Sequence, residues 1–353
     1  MAIDRERMQA FLDRALADVG ACLTSALVVV GDRLGLYRAM AAAGPTTSAE
    51  LAERTGTKER PVREWLRAQA AAGYVAYDAA TDRYALTEEQ AAALADEASP
   101  VCMLGGFLLG ISAARADESL TEAFRSGDGI PWSAHHPGVF EGTARFFRPA
   151  YANHLVRTWL PSLDGVVAKL EGGGRVADVG CGVGHSARLL SRAFPRAQVV
   201  GFDDHGPSIE TAREAASREG LAETCRFEVA PAASYPGAGY DLVTFFDCLH
   251  DMGDPVGVAK HVRQSLAPDG TWMLVEPLAS DRVEENLTPV GRVYYAASTL
   301  VCTPSAMSQG AGAEALGAQA GEGRLREVAE AAGFRSFRRA TQTRFHMVLE
   351  LRP

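Results

Sequence analysis

The chain has 353 residues, 47% of them hydrophobic and 22% charged; this is globular composition, long enough for two domains of about 150 residues and unlike a disordered or fibrous chain. Thirty-five Lys and Arg against 44 Asp and Glu leave a net charge of −9, which argues against non-specific binding to nucleic acid or to an anionic membrane. The first residues lack the apolar core of a secretory signal, and the six cysteines stand singly with no Cys-x-x-Cys pair, so a reducing cytoplasm is expected, with neither a disulfide framework nor a zinc cluster.

In chain order, Met8, Phe11, Leu12, Ala15, Leu16 and Val19 recur at helical spacing, and a second apolar run, Leu23 to Val30, ends at Gly31 and Gly35. These predict two packed helices. Thr47 with Glu50 three residues on is a capping pattern, and that helix stops at Gly56. Pro61 opens a helix to Ala72, with Val62, Trp65, Leu66 and Gln69 on one face and Gly73 as its stop. Tyr74–Tyr77 and Arg83–Thr87 alternate around a polar turn, which completes the pattern of a winged helix-turn-helix. Residues 88 to about 165 read as helices broken at Pro100, Gly127, Gly129, Pro131 and Pro137. The apolar run Val101–Ala116 is interrupted by glycines and shorter than the ~20 residues of a membrane span, so it predicts a buried helix.

From Arg175 short β-rich runs alternate with amphipathic helices, the pattern of a parallel α/β sheet. The predicted strands are Arg175–Val179, Gln198–Phe202, Cys225–Val229, Leu242–Phe246, Thr271–Val275 and Phe345–Leu351. Between them Asp254 caps a helix over Pro255–Leu266. Ser308–Gly323 holds five glycines in sixteen residues and reads as a loop able to cover a site.

The first of these strands ends Asp178-Val179-Gly180-Cys181-Gly182-Val183-Gly184. Glycines there allow close backbone approach to a ligand, and the following helix N-terminus favours negative charge. The next strand ends in Asp203, where a carboxylate can take the two hydroxyls of a ribose. Together Asp178, Gly180, Gly182, Gly184 and Asp203 resemble the S-adenosylmethionine site of class I methyltransferases more than a dinucleotide site, whose pattern is Gly-x-Gly-x-x-Gly. The resemblance implies S-adenosylmethionine as cofactor, with the first glycines under its methionine end and Asp203 on its ribose. After the third strand stands Glu228-Val229-Ala230-Pro231-Ala232; the family's adenine-binding acid is missing there, so no side chain is assigned to the adenine.

The fourth strand runs into Asp247-Cys248-Leu249-His250-Asp251-Met252. This is similar to the Leu/Cys-His-Asp-Trp segment of plant-type O-methyltransferases, which also carry an N-terminal winged helix. The resemblance implies His250 as general base, Glu276 at the end of the fifth strand as the acid that orients it, Asp251 beside it in the catalytic group, and Asp247 on the cofactor side. A divalent metal held by His250, Asp251 and Glu276 is the alternative, but no third histidine stands nearby and none is expected. The segments Asn286–Tyr295 and Ser298–Pro304 resemble an actinobacterial group of winged-helix methyltransferases often labelled transcriptional regulators.

The expected architecture is therefore a Rossmann-like domain with a mostly parallel seven-stranded sheet over 166–353, a mainly α winged-helix domain over 1–95 that dimerises, and a helical connector over 96–165 that roofs the pocket of a small-molecule acceptor. His135 and His136 read as a solvated loop, Cys302 as a buried apolar residue, and Phe140, Phe146, Phe147, Tyr151 and Trp159 as helical core or pocket wall. The rival reading is a regulator that senses S-adenosylmethionine without turnover and binds DNA through Lys58, Arg60, Arg63 and Arg67; against Glu59 and Glu64 these carry only 4 − 2 = +2.

Overall fold

The computed structural model describes residues 3–353. The described residues divide into two compact units, one of residues 3–112 with 141–149 and the other of 113–140 with 150–353. Both thus draw on the stretch read from sequence as a single connector.

The first unit begins with α1 (Arg5–Arg33) and α2 (Leu36–Ala43), followed by α3 (Ser48–Thr55), α4 (Glu59–Ala71), a hairpin of β1 (Ala76–Asp78) and β2 (Arg83–Ala85), α5 (Glu88–Leu94) and α6 (Leu104–Ala113). The capping box of α3 is closed from both sides: the Glu50 amide donates to Thr47 Oγ1 at 3.3 Å, and the Thr47 amide to the Glu50 carboxylate at 3.0 Å. All four residues of the predicted α4 face, Val62, Trp65, Leu66 and Gln69, are buried. Tyr37 donates to Gln69 Oε1 at 2.7 Å, and Trp65 Nε1 to the Leu27 carbonyl at 2.8 Å, so the polar atoms of this core are paired where burial makes an orphan costly. Gly31 is required here, because a Cβ would collide with the Trp65 ring.

One expectation fails. The two helices predicted before residue 33 are a single 29-residue helix, α1, which Gly20 does not break. The face read as core lies open: Phe11 is 66% exposed, Leu16 73% and Leu23 67%. Periodicity reports that a face is apolar, not what covers it. By length and composition α1 is also the one helix among the described residues that could cross a membrane.

The second unit contains α7 (Asp117–Ser126), the first turn of α8 (Pro137–His154), α9 (Val166–Glu171), then β3 (Arg175–Val179), α10 (His185–Ala193), β4 (Gln198–Asp203), α11 (Gly206–Arg218), β5 (Cys225–Val229), β6 (Tyr240–Phe246), α12 (Pro255–Ser265), β7 (Leu266–Pro277), α13 (Pro289–Ala297), α14 (Thr303–Met307), α15 (Gly321–Ala331), β8 (Ser336–Gln342) and β9 (His346–Arg352). Seven strands form one sheet in the order β5-β4-β3-β6-β7-β9-β8, parallel except that β9 runs against β7 and β8 against β9. The inner strands are buried along nearly their whole length, as a sheet covered by helices on both faces demands. β8, absent from the predicted strands, is an edge strand of sequence Ser-Phe-Arg-Arg-Ala-Thr-Gln. Charge on an edge blocks further pairing and also hides the apolar alternation that marks a strand.

Two single turns of π-helix interrupt the helices of this unit, at Leu155–Trp159 and Ser298–Cys302. Such turns recur near functional sites because they re-aim side chains, and both bear on the site described next.

Candidate active site

The strand order reverses between β3 and β6, which opens a crevice at their carboxyl ends, the usual ligand position in open α/β sheets. The glycine turn lines it. Gly180, Gly182 and Gly184 all have positive φ, at 70°, 51° and 74°, a region that side chains disfavour. They are not equivalent. A Cβ on Gly180 would lie 2.7 Å from Cys248 Sγ, and one on Gly184 2.5 Å from the Phe227 ring, whereas one on Gly182 would meet nothing within 4 Å. Two glycines serve internal packing; Gly182 borders open space.

Asp178 is fully buried. Ser186 Oγ donates to its Oδ2 at 2.6 Å and Thr244 Oγ1 to its Oδ1 at 2.8 Å, so it ties the end of β3 to α10 and β6. Burial pushes its carboxyl up to about 6, the two hydroxyls pulling against the shift. Asp203 closes the other side: its Oδ2 accepts the Gly182 amide at 2.8 Å and its Oδ1 the His205 amide at 2.9 Å. Burial raises this carboxyl too, opposed by those two amides. His205 stacks on Phe140 with centroids 4.3 Å apart, and Trp132 packs against Phe140 at 5.4 Å.

Asp247, just past β6, has φ of 52°, a left-handed conformation outside glycine that costs about 1 kcal/mol and collects at functional sites. Tyr151 donates to its Oδ2 at 3.2 Å, and His346 Nε2 lies 3.2 Å from the same oxygen. Its Oδ1 is buried without a hydrogen bond. Tyr151 and His346 have no sequence motif; only the fold brings them, with Trp159 and Phe246, to Asp247.

His250 follows on a short 3-10 turn over Leu249–Asp251 and is 4% exposed. Its Nδ1 pairs with Glu276 Oε2, whose other oxygen accepts the Leu249 amide at 3.0 Å. Its Nε2 faces Asp251 Oδ1 at 3.3 Å. Burial disfavours the imidazolium, but Glu276 and Asp251 outweigh it and hold His250 well above its ordinary value. Burial raises Glu276 and Asp251, with His250 pulling each back.

The glycine-rich segment docks behind this histidine. Gln309 accepts the Gly253 amide at 2.8 Å and donates to the Asp251 carbonyl at 2.7 Å, while the Glu314 amide donates to the Gly253 carbonyl at 2.7 Å. Gln309 was not singled out from sequence. His135 departs from expectation: it is 4% exposed, with Nε2 3.3 Å from Ser305 Oγ and Nδ1 unpaired, and burial lowers its basicity. His136 instead caps α8, accepting the Gly138 amide at 3.0 Å.

In the first unit, two of the three arginines of α4 pair within the helix. Arg60 pairs with Glu64 at 2.5 Å and Arg63 with Glu59 at 2.6 Å.

Comparison with known proteins agrees with this arrangement. Residues 21–96 match the Rv2258c-like winged HTH domain and residues 151–317 the family described as Methyltransferase domain. Mitomycin biosynthesis 6-O-methyltransferase of Streptomyces lavendulae is 28% identical over 254 residues, 68% of this chain and 70% of that one. Among solved structures, human N-acetylserotonin methyltransferase in complex with SAM superposes with a TM-score of 0.71 at 18% identity, over 100% of this chain and 99% of that one. The O-methyltransferase NcsB1 from neocarzinostatin biosynthesis, solved with S-adenosylmethionine and 2-hydroxy-5-methyl naphthoic acid, gives 0.62 at 20% identity over 96% and 97%.

Proposed function

We propose that this chain, an S-adenosylmethionine-dependent methyltransferase with a winged-helix domain before its Rossmann-like domain, methylates a hydroxyl of a small molecule, with His250 taking the proton that the hydroxyl gives up. The observation that carries this reading is the buried pairing of His250 with Glu276 at the ends of β6 and β7, beside the glycine turn. Oxygen as the acceptor atom also draws on the mitomycin relative and on the naphthoic acid bound by NcsB1.

Two features of the crevice suit the cofactor. The open side of Gly182 leaves backbone within reach of a ligand, and the unpaired Oδ1 of Asp247 is a buried acceptor that an ammonium group would satisfy. Gly180 and Gly184 shape the turn, Asp178 braces it, and Asp203 would hold the ribose. When bound, S-adenosylmethionine supplies a methyl group on a sulfonium sulfur. The chain's own residues align the hydroxyl with that methyl, which is worth more than proton transfer in such a displacement. Glu276 holds the imidazole ring by Nδ1, so in the neutral ring, which rising pH populates, Nε2 is the nitrogen that receives the proton; Glu276 and Asp251 then stabilise the imidazolium.

The winged helix serves assembly in this reading. The exposed apolar face of α1 suits a second copy of the chain, and the intrahelical pairing of Arg60 and Arg63 leaves little free charge for phosphates. A cytoplasmic homodimer follows, and the non-enzymatic regulator loses support.

The test is His250→Ala and His250→Gln in the full chain, with affinity for S-adenosylhomocysteine measured alongside turnover. Turnover falls by about 10²–10⁴-fold for loss of a general base while cofactor-product affinity is kept. Undiminished turnover overturns the assignment of His250.

A further inference from the structure

Among the described residues only Asp82 and Asp247 have positive φ outside glycine. Asp82 lies in the turn between β1 and β2, where that conformation is common for aspartate. Asp247 instead closes a buried strand, with its amide fixed on the Val275 carbonyl at 2.8 Å. Its side chain is 2% exposed, yet its two oxygens differ: Oδ2 has the Tyr151 hydroxyl and His346 Nε2 each at 3.2 Å, while Oδ1 has no hydrogen bond. A buried acceptor left open on a strained residue calls for a ligand.

We infer that Tyr151 and His346 are positioning residues for the amino-acid end of the cofactor: they fix Oδ2 of Asp247 and so reserve Oδ1 for the cofactor's ammonium group. This rests on the placement of that ammonium at Asp247 and adds the two side chains that make the crevice selective for a ligand carrying an amino-acid end.

The physical reason is rotation. The terminal torsion of an aspartate is soft, and a half turn exchanges its two oxygens; a carboxylate ordered only when the ligand arrives binds it more weakly than one already fixed. Tyr151 removes that freedom, and its hydroxyl stays a donor, because burial first and then the charge of Asp247 push it well above its ordinary value. Both rings are themselves held. Trp159, delivered by the first π turn, packs edge-on against Tyr151 and His346 with centroids 6.1 and 5.6 Å apart, and Phe246 lies 5.1 Å from Tyr151. Trp159 is fully buried, so these contacts fix the positions of both rings. An ammonium on Oδ1 makes a charge-assisted hydrogen bond, about twice as strong as a neutral one; a ligand without the ammonium gains nothing from the arrangement.

The experiment compares two ligands by calorimetry on the full chain. S-adenosylhomocysteine has the amino-acid end; methylthioadenosine shares the adenosine and the sulfur and lacks it. Asp247→Gly keeps the left-handed backbone and removes the carboxylate, and lowers affinity for S-adenosylhomocysteine by more than about tenfold, the worth of a hydrogen bond between charged groups, with methylthioadenosine unchanged. Tyr151→Phe removes only the hydroxyl and lowers the first affinity by about tenfold, again without effect on the second. In the Asp247→Gly background Tyr151→Phe changes nothing further, because the carboxylate through which it acts is gone. Retained methylthioadenosine binding shows that each variant is folded, and His346→Leu supplies a second lesion at the same oxygen should Tyr151→Phe fail that check. Equal losses for both ligands, or a Tyr151→Phe loss that adds in full to that of Asp247→Gly, overturn the proposal. A selective loss in Asp247→Gly with none in Tyr151→Phe or His346→Leu overturns the positioning role alone, whereas an Asp247→Gly chain that binds S-adenosylhomocysteine as tightly as the native one overturns the placement of the ammonium itself.

Discussion

The buried carboxyl of Asp178 makes stability depend on pH in a direction that can be worked out. Its value is about 6 when folded, against an ordinary 3.8, so the folded chain binds the proton more tightly than the unfolded one. Between those values the native state holds more protons, and stability falls as pH rises. The stabilisation linked to the neutral acid is fully present below about pH 4 and is lost above about pH 6. The size is 6 − 3.8 = 2.2 units, about 3 kcal/mol at 1.36 kcal/mol per unit. Asp178→Asn is nearly isosteric, keeps an acceptor for one of the Ser186 and Thr244 hydroxyls and cannot ionise. Denaturant unfolding of both proteins at half-unit steps from pH 4 to 7.5 cancels the other titrating groups in the difference. The variant gains on the native chain by about 2 kcal/mol across that interval, since pH 4 already lies above the ordinary value of 3.8. A gap that stays flat, or that favours the native chain as pH rises, would show that the hydroxyls outweigh burial and refute the reasoning.

Other residues give equally direct expectations. Gly182→Ala adds a methyl group to open space in a left-handed conformation, costing about 1 kcal/mol of stability but lowering affinity for S-adenosylhomocysteine at least tenfold by calorimetry; unchanged affinity places the cofactor elsewhere. In the first unit Arg145 bridges the mostly buried Asp32 at 2.8 Å and pairs with Glu97, so Arg145→Ala leaves these carboxylates only Arg38 and Arg148 and costs about 2 kcal/mol in chemical unfolding, the worth of a charged hydrogen bond, a loss under about 0.5 kcal/mol being contrary to this account. Gln309→Ala frees the backbone behind His250 and slows turnover by about tenfold, equivalent to one or two hydrogen bonds, with affinity for S-adenosylhomocysteine intact; an equal loss in both would mean that Gln309 acts on the fold alone.

What the sequence reveals of this molecule depends on whether a feature is local. The capping box at Thr47, the buried stripe of α4 and the glycine turn between β3 and α10 each depend on a few neighbouring residues, and each forms where spacing predicts. α1 and β8 fail for opposite reasons: α1 carries an apolar face that its own unit leaves uncovered, and β8 carries arginines that conceal a strand at a sheet edge. His250, Asp251 and Glu276 are singled out by the resemblance of the segments after the fourth and fifth strands to plant-type O-methyltransferases; strand spacing by itself places them only near the carboxyl ends of the sheet. Tyr151, His346, Gln309 and Cys302 reach the site from α8, the start of β9, a docked loop and a π turn, positions that no periodicity encodes.

That division bears on Cys302. As one letter in an apolar run it reads as a small core residue, the commonest state of a free cysteine. Its place changes that meaning: Cys302 ends the π turn over Ser298–Cys302, and its Sγ lies within 4.8 Å of donor atoms of His250 and Asp251. Filling core would require only volume there, and alanine or valine would supply it. A thiol placed against an imidazole that is braced from behind by Glu276 brings chemistry as well as volume. Cys302→Ala therefore separates the two roles: equal stability in chemical unfolding with slowed turnover assigns the thiol to the chemistry around His250, whereas lost stability with turnover kept assigns it to packing.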